Sequence, residues 1–205
     1  MRAVIICGGE IESYDNVRAH IKSSDMIICA DSGYMHAKNM GIIADIVLGD
    51  FDSYEKDKIE CDKIKSYPVK KDFTDSEIAL EYAAECGVEE VLLLAAVGGR
   101  VDHTLGNIYL LKTATEKNMR ASIFDGKSTI YYVRDKIHIC GKVGDLLSII
   151  PFSKADDITT DGLEYALFHK PLPSTGISNV FIENEVEVEI GFGEVIIVHT
   201  PTDNL

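Results

Sequence analysis

The sequence has no tryptophan and only five prolines in 205 residues. No apolar run approaches the roughly 20 residues of a membrane-spanning helix. The first such run, Ala3 to Cys7, is too short for the apolar region of a secretion signal and is followed at once by Gly-Gly-Glu. Positive charge is scarce: 20 Lys and Arg stand against 34 Asp and Glu, for a formal net charge of −14. Phosphate backbones are gripped mainly by Lys and Arg, so the balance argues against a nucleic acid or an anionic membrane surface as partner. A small phosphorylated ligand is compatible with it, since that needs only a local cation or a metal ion.

Familiar catalytic signatures are missing too. "DGKST" at 125–129 imitates the tail of a phosphate-binding loop, but Ala121 stands where the first Gly belongs and a strand-like run follows. There is no G-x-G-x-x-G, no H-E-x-x-H and no G-x-S-x-G. The five cysteines, Cys7, Cys29, Cys61, Cys86 and Cys140, contain no CxxC pair. Several lie in apolar runs, where a thiol packs as a small hydrophobe. The expectation is five reduced thiols in or near the core of a cytoplasmic protein.

What is present is 46% apolar residues, ample for a core. Through residue 125, short apolar runs ("RAVIICG", "DMIICAD", "ADIVLGD", "VEEVLLLAAVGG", "RASIFDG") alternate with helix-like stretches ("YDNVRAHIKSS", "SGYMHAKNMG", "FDSYEKDKIE", "DSEIALEYAAECG", "DHTLGNIYLLKTATEKN"). Fully apolar strands alternating with helices predict an open α/β unit whose mostly parallel sheet is covered on both faces. After Gly126 the pattern turns strand-rich. In "EVEVEI", Val186, Val188 and Ile190 alternate with Glu185, Glu187 and Glu189, the period of a sheet with one wet face. The chain therefore divides into residues 1–126, α/β, and 127–205, an all-β sandwich.

Acids recur where the predicted strands end. "IICAD" delivers Asp31, "IVLGDFD" Asp50 and Asp52, "LLLAAVGGRVD" Asp102, and "VKKDFTD" adds Asp72 and Asp75 before a helix. Ligands of open parallel sheets bind at the carboxyl ends of the strands. Asp31 and Asp102 also read as helix caps, and Thr74 with Glu77 as a capping box beside Asp75. Asp50 and Asp52 resist that explanation. Two carboxylates about 4 Å apart repel by roughly 4 kcal/mol at an effective dielectric of about 20. A hard divalent cation such as Mg²⁺ removes the conflict and leaves room for phosphate oxygens. Gly98 and Gly99 allow close backbone approach, Arg100 offers a planar fork for phosphate, and Lys70 and Lys71 are further counter-charges. Gly8 and Gly9 after the first strand are another backbone-approach candidate. His103 reads equally as an orienting group or a helix-end residue.

Together "ADSG" (30–33), "LGDFDS" (48–53), "KDFTDSEIAL" (71–80), "GGRVDH" (98–103) and "GISN" (176–179) occur in an order that resembles the thiamine pyrophosphokinase family over nearly the whole chain. The resemblance implies an α/β nucleotide-binding domain followed by a thiamine-binding β-sandwich, in a homodimer with shared active sites. It implies pyrophosphate transfer from ATP to the hydroxyl of thiamine, giving thiamine diphosphate and AMP. By motif, Asp50, Asp52 and Asp75 correspond to Mg²⁺-handling acids, and Asp31 and Asp102 to further active-site acids. Arg100 corresponds to a triphosphate-holding residue, with Lys71, Thr74, His103 and Asn107 on the ATP side. Ser178 and Asn179 correspond to thiamine contacts. The proton acceptor is Asp75 or Asp102. Some relatives place a Trp near thiamine; here a stacking partner has to be Tyr or Phe, and Phe181 is the position named. The alternatives are a pyrophosphokinase for another small alcohol, such as a pterin, and a non-catalytic nucleotide or divalent-cation binder.

Overall fold

Runs of Val, Ile, Leu and Ala with almost no polar interruption make strands buried on both faces, and the chain begins with them. The computed structural model describes residues 1–51, 59–68, 72–172 and 176–204. They fall into two compact units, Met1–Gly126 and Lys127–Leu205. The first runs β1 (Arg2–Ile6), α1 (Tyr14–Arg18), β2 (Met26–Ala30), α2 (Gly33–Asn39), β3 (Ile46–Gly49), β4 (Ile64–Ser66), α3 (Asp75–Glu85), β5 (Glu90–Leu94), α4 (Val101–Glu116) and β6 (Arg120–Phe124).

Within this unit the strand order is β6-β5-β1-β2-β3-β4, parallel throughout. Side chains of successive strand residues face opposite ways. Val4, Ile6, Ile27, Cys29 and Val47 join Tyr34, Ala37 and Met40 from the α2 side in one buried cluster. α3 packs against β1, β2 and β3, and α4 against α3 and β6. Both faces of the sheet are thus covered, as predicted.

Helix α1 is shorter than its sequence suggested. Only Val17 is buried within it, and Ala19 to Ile21 close in tight turns. A lone turn with a single core anchor does not propagate. The helix predicted over "FDSYEKDKIE" falls mainly on residues 52–58, outside the described residues. Helix α3 carries the predicted capping box: Thr74 Oγ1 accepts from the Glu77 N–H at 3.2 Å, and Glu77 Oε2 from the Thr74 N–H at 2.6 Å.

The second unit is antiparallel. It contains β7 (Thr129–Val133), β8 (Lys136–Cys140), β9 (Leu146–Pro151), β10 (Asp156–Asp161), β11 (Gly176–Val180), β12 (Glu185–Phe192) and β13 (Val195–Thr200). One sheet runs β11-β9-β13-β7, the other β10-β12-β8. Val186, Val188 and Ile190 meet Leu147, Ile149, Val195 and Ile197 in a shared core, while Glu185 and Glu189 are exposed. This is the expected sandwich. β10 was not expected, because "DDITTD" offers only one aliphatic residue.

All five cysteines are free thiols, but Cys86 and Cys140 are exposed, which corrects the expectation of five core or near-core residues. Cys86 closes the outer end of α3. Cys140 follows buried Ile139 in β8 and takes the opposite, wet face. Among the described residues no helix is long and apolar enough to cross a membrane.

Candidate active site

In the α/β unit the chain proceeds outward from β1 through β4, then crosses back to place β5 on the other side of β1. The loops after β1 and β5 therefore diverge, which opens a crevice at the carboxyl edge. A cleft of about 460 Å³ lies there, walled by Cys7–Glu10 after β1, Asp31 and Ser32 after β2, Thr74–Ser76 at the start of α3, and Ala95, Ala96 and Gly98–Arg100 after β5. His103 and Asn107 of α4 complete it. That size suits a small ligand.

Of the residues singled out in the sequence, Asp31, Thr74, Asp75, Arg100, His103 and Asn107 share this cleft. Asp102 lines a smaller adjoining pocket together with Thr74, His103 and Asn107. Asp50 is not on the cleft wall but follows directly on a contact with Asp31. A Cβ placed on Gly49 would lie 3.0 Å from the Asp31 Cα and 3.1 Å from its Oδ1. Any side chain at Gly49 would crowd Asp31, so glycine eases the close approach of the two strand ends. Asp52 and Lys71 lie outside the described residues. Ser178 and Asn179 belong to the second unit.

The edge is also conformationally strained. Asp31, Phe51 and Ala95, just beyond β2, β3 and β5, all have positive φ, at 46°, 57° and 51°. Each costs roughly 1–2 kcal/mol in a non-glycine residue. Such strain gathers where a backbone is being aimed rather than merely turned.

Charges in the cleft are mixed. Arg100 forks onto Asp102, Nε to Oδ1 at 3.1 Å and Nη2 to Oδ2 at 2.6 Å. That guanidinium, with the His103 N–H, holds the Asp102 carboxyl down at about 2. Both side chains are well exposed, so water screens the pair and an incoming anion competes readily for the arginine. Asp102 at such a value is a weak proton acceptor while the pair persists. Asn107 Nδ2 donates to the Ala96 carbonyl at 2.7 Å, tying α4 to the loop after β5. Cys7 forms part of the floor; burial pushes its thiol up to about 11, against a hydrogen bond from Ser76, so it brings no charge.

In the second unit, Ser178 is exposed at a bulge in β11, with φ at 58° and its N–H on Ser148 Oγ at 3.1 Å. Asn179 clamps Tyr165 by its backbone: Oδ1 accepts from the Tyr165 N–H at 3.0 Å and Nδ2 donates to the Tyr165 carbonyl at 2.9 Å. Tyr165 as a whole residue is 69% exposed. Phe181, the aromatic named from the sequence, has no exposed surface at all and stacks on His199 inside the core. It is corrected to a core residue. Tyr165 was missed because nothing in "GLEY" distinguishes it from a buried tyrosine; only the clamp from 14 positions away does.

A strained, glycine-bordered and acid-rich crevice at the switch point of a parallel sheet places the chain among α/β proteins that bind a ligand at the carboxyl edge. The match to known proteins is more particular. The thiamin pyrophosphokinase catalytic-domain family model matches residues 17–123 and the thiamin pyrophosphokinase vitamin B1 binding-domain model residues 134–197. The chain belongs to the thiamin pyrophosphokinase family, whose reaction is transfer of pyrophosphate to thiamine. Thiamine pyrophosphokinase of Bacillus subtilis is 29% identical over 207 residues, covering 96% of this chain and 97% of that protein. A crystal structure of thiamine pyrophosphokinase from Bacillus subtilis superposes with a TM-score of 0.86 at 26% identity, covering 98% and 100% of the two chains. For thiamin pyrophosphokinase from Candida albicans the score is 0.82 at 16% identity, covering 98% and 88%, a likeness of fold.

Proposed function

We propose that the pyrophosphoryl donor is ATP, bound with Mg²⁺ in the cleft of the α/β unit, and that the products are thiamine diphosphate and AMP. The observation that carries this is the convergence of Asp31, Asp75 and Arg100 on one crevice flanked by two glycine-bearing loops. The hydroxyl oxygen of thiamine bonds to the β-phosphorus, the bond from that phosphorus to the α,β-bridging oxygen breaks, and AMP leaves with the electron pair. Such transfers depend mainly on positioning and on neutralising the phosphate oxygens. Arg100, turned from Asp102 to the triphosphate, supplies positive charge, with Thr74, His103 and Asn107 on the same wall and Lys71 from outside the described residues. Asp75 takes the hydroxyl proton, because it lines the cleft itself whereas Asp102 faces the smaller adjoining pocket.

Among the described residues no three His, Cys, Asp or Glu side chains stand close enough to hold a metal ion by themselves. The donor set nevertheless fits Mg²⁺, which takes one or two carboxylates and fills the rest with water and phosphate oxygens. Asp50 and Asp75 are the residues assigned to hold it, with Asp52 the third acid carried over from the family motif and Asp31 alongside. Bound there, Mg²⁺ supplies charge neutralisation for the phosphates.

Thiamine is assigned to Ser178, Asn179 and Tyr165 of the second unit. Its cationic ring suits both an aromatic face and an acidic protein. The homodimer finds support in an apolar stripe on α4, where Val101, Leu105 and Tyr109 recur at i, i+4, i+8 and are all exposed. A second copy covers such a stripe and completes the site. The free thiols agree with a cytoplasmic setting.

The product test is direct. Incubation with ATP, Mg²⁺ and thiamine is expected to yield AMP and thiamine diphosphate in equal amounts; ADP, or turnover only with a pterin, overturns the reading. Tyr165→Ala is expected to raise the KM for thiamine roughly tenfold with kcat and the KM for ATP little changed. Shared sites are tested by mixing Arg100→Ala with Tyr165→Ala subunits and assaying at low thiamine. Roughly a quarter of wild-type activity should return, since half the dimers are mixed and each regains one intact site. No recovery on subunit exchange argues for sites within one chain.

A further inference from the structure

His36 takes no part in the roles above, yet both of its ring nitrogens are engaged. Nε2 stands 2.8 Å from the Gly9 carbonyl oxygen and Nδ1 2.9 Å from the Tyr14 hydroxyl. A carbonyl only accepts, so Nε2 carries the proton, and in the neutral ring Nδ1 accepts from the Tyr14 O–H. The Tyr14 oxygen in turn accepts from Asn39 Nδ2 at 2.9 Å. The donors run in one direction, from Asn39 through Tyr14 and His36 to Gly9. None of Asn39, Tyr14 and His36 lines the cleft; Tyr14 packs on the apolar cluster behind it.

The end of that relay is a cleft wall. The Gly9 N–H donates to the Ala95 carbonyl at 2.8 Å while its own carbonyl is held by His36. A Cβ on Gly9 would lie 2.4 Å from the Ala95 oxygen, so the loop is gripped on both sides of a residue that only glycine can fill. Among the described residues no peptide bond is cis, and in a trans peptide the N–H after a carbonyl points the opposite way. With the Gly9 carbonyl drawn to His36, the Glu10 N–H is turned away from it. Glu10 lines the cleft, and a Cβ on Gly98 across from it would lie 3.6 Å from the Glu10 nitrogen.

We propose that His36, braced by Tyr14 and Asn39, is a positioning residue for the transfer reaction: it fixes the Gly9 carbonyl and so aims the Glu10 backbone N–H at the phosphates of the nucleotide. The proposal rests on the reading that this cleft takes the triphosphate. It demands a split in the kinetics, because the relay reaches only the nucleotide wall.

His36→Gln keeps an N–H donor where Nε2 was. His36→Asn places its amide near Nδ1 and leaves the Gly9 carbonyl unheld. The KM for MgATP is expected to rise roughly tenfold in His36→Asn and to stay within about twofold of wild type in His36→Gln, with the KM for thiamine unchanged in both. An unchanged KM for MgATP in folded His36→Asn, or equal rises in both variants, overturns the proposal. If His36→Asn does not fold, Tyr14→Phe decides: a rise of roughly threefold or more supports the relay, and none refutes it. Arg100→Ala separates this from the reading beneath it. Should Arg100→Ala raise the KM for MgATP while the relay variants do not, the relay fails and the nucleotide site stands. Should none of them raise it, the nucleotide site itself is misplaced.

Discussion

Asp75→Asn is expected to lower kcat by about 100-fold or more while the protein stays folded. The argument turns on what else Asp75 does. It is the first residue of α3, where a carboxylate gains from the helix dipole, an effect worth roughly 0.3–1 kcal/mol at an exposed end. The heavier work of starting the helix belongs to Thr74 and Glu77, whose reciprocal hydrogen bonds satisfy two backbone donors without Asp75. Asparagine keeps the shape and removes only the charge. A purely structural Asp75 therefore predicts a slightly lowered melting temperature and normal kcat. A carboxylate that takes the hydroxyl proton and faces Mg²⁺ predicts the reverse: near-normal melting and kcat lost by orders of magnitude. Steady-state rates beside a thermal unfolding curve separate the two. Near-normal kcat in the folded variant would leave Asp50 and Asp31 as the acids to test, and would remove the proton acceptor assigned here.

How far the sequence spoke for itself depended on the distance over which each feature is encoded. The apolar runs of β1, β2, β3 and β5, the Glu–Val alternation of β12 and the Thr74–Glu77 box are local patterns, and each appears where its pattern placed it. The carboxyl-edge acids were also legible, because a parallel sheet brings all its strand ends to one rim whatever the strand order. Strand order decides which of them share a wall. Asp31 and Asp75 do, while Asp50 follows a glycine pressed against Asp31. Neither the positive φ of Asp31, Phe51 and Ala95 nor the clamp of Asn179 on Tyr165 leaves a trace in residue spacing. The second of these bears on a reading: Phe181 was the aromatic named from the sequence, whereas the Asn179 amide holds the backbone of Tyr165. The His36 relay was invisible for the same reason, its members lying 22 and 27 positions from their partners.

Asp145→Ala is expected to destabilise the second unit by roughly 3–5 kcal/mol, enough to unfold a small sandwich near physiological temperature. Asp145 is 1% exposed and carries four donors. Oδ2 accepts from His199 Nε2 and the Lys142 N–H, both at 2.9 Å, and Oδ1 from the Thr202 N–H and hydroxyl, both at 2.9 Å. Burial alone would raise its pKa; the donors from Thr202, Lys142 and His199 outweigh that and hold the carboxyl at about 2. An unfolded aspartate titrates near 3.9, so the difference stabilises the folded state by roughly 2–3 kcal/mol once both states are ionised. The folded value is the lower one. The stabilisation is therefore present above about pH 4 and is lost as the pH falls through 4 towards 2. Alanine removes the carboxylate and strands its donors in a site too tight to admit much water: a Cβ on Gly141 would already lie 2.7 Å from Asp145 Oδ2 and 3.0 Å from His199 Nε2. Denaturant unfolding followed by circular dichroism, repeated between pH 7 and pH 2, reads both effects at once. Wild type should lose stability across the acid range, and Asp145→Ala should start low and fall less steeply. Parallel acid slopes in the two proteins would assign the acid sensitivity to other carboxylates, whatever the cost of the substitution at neutral pH.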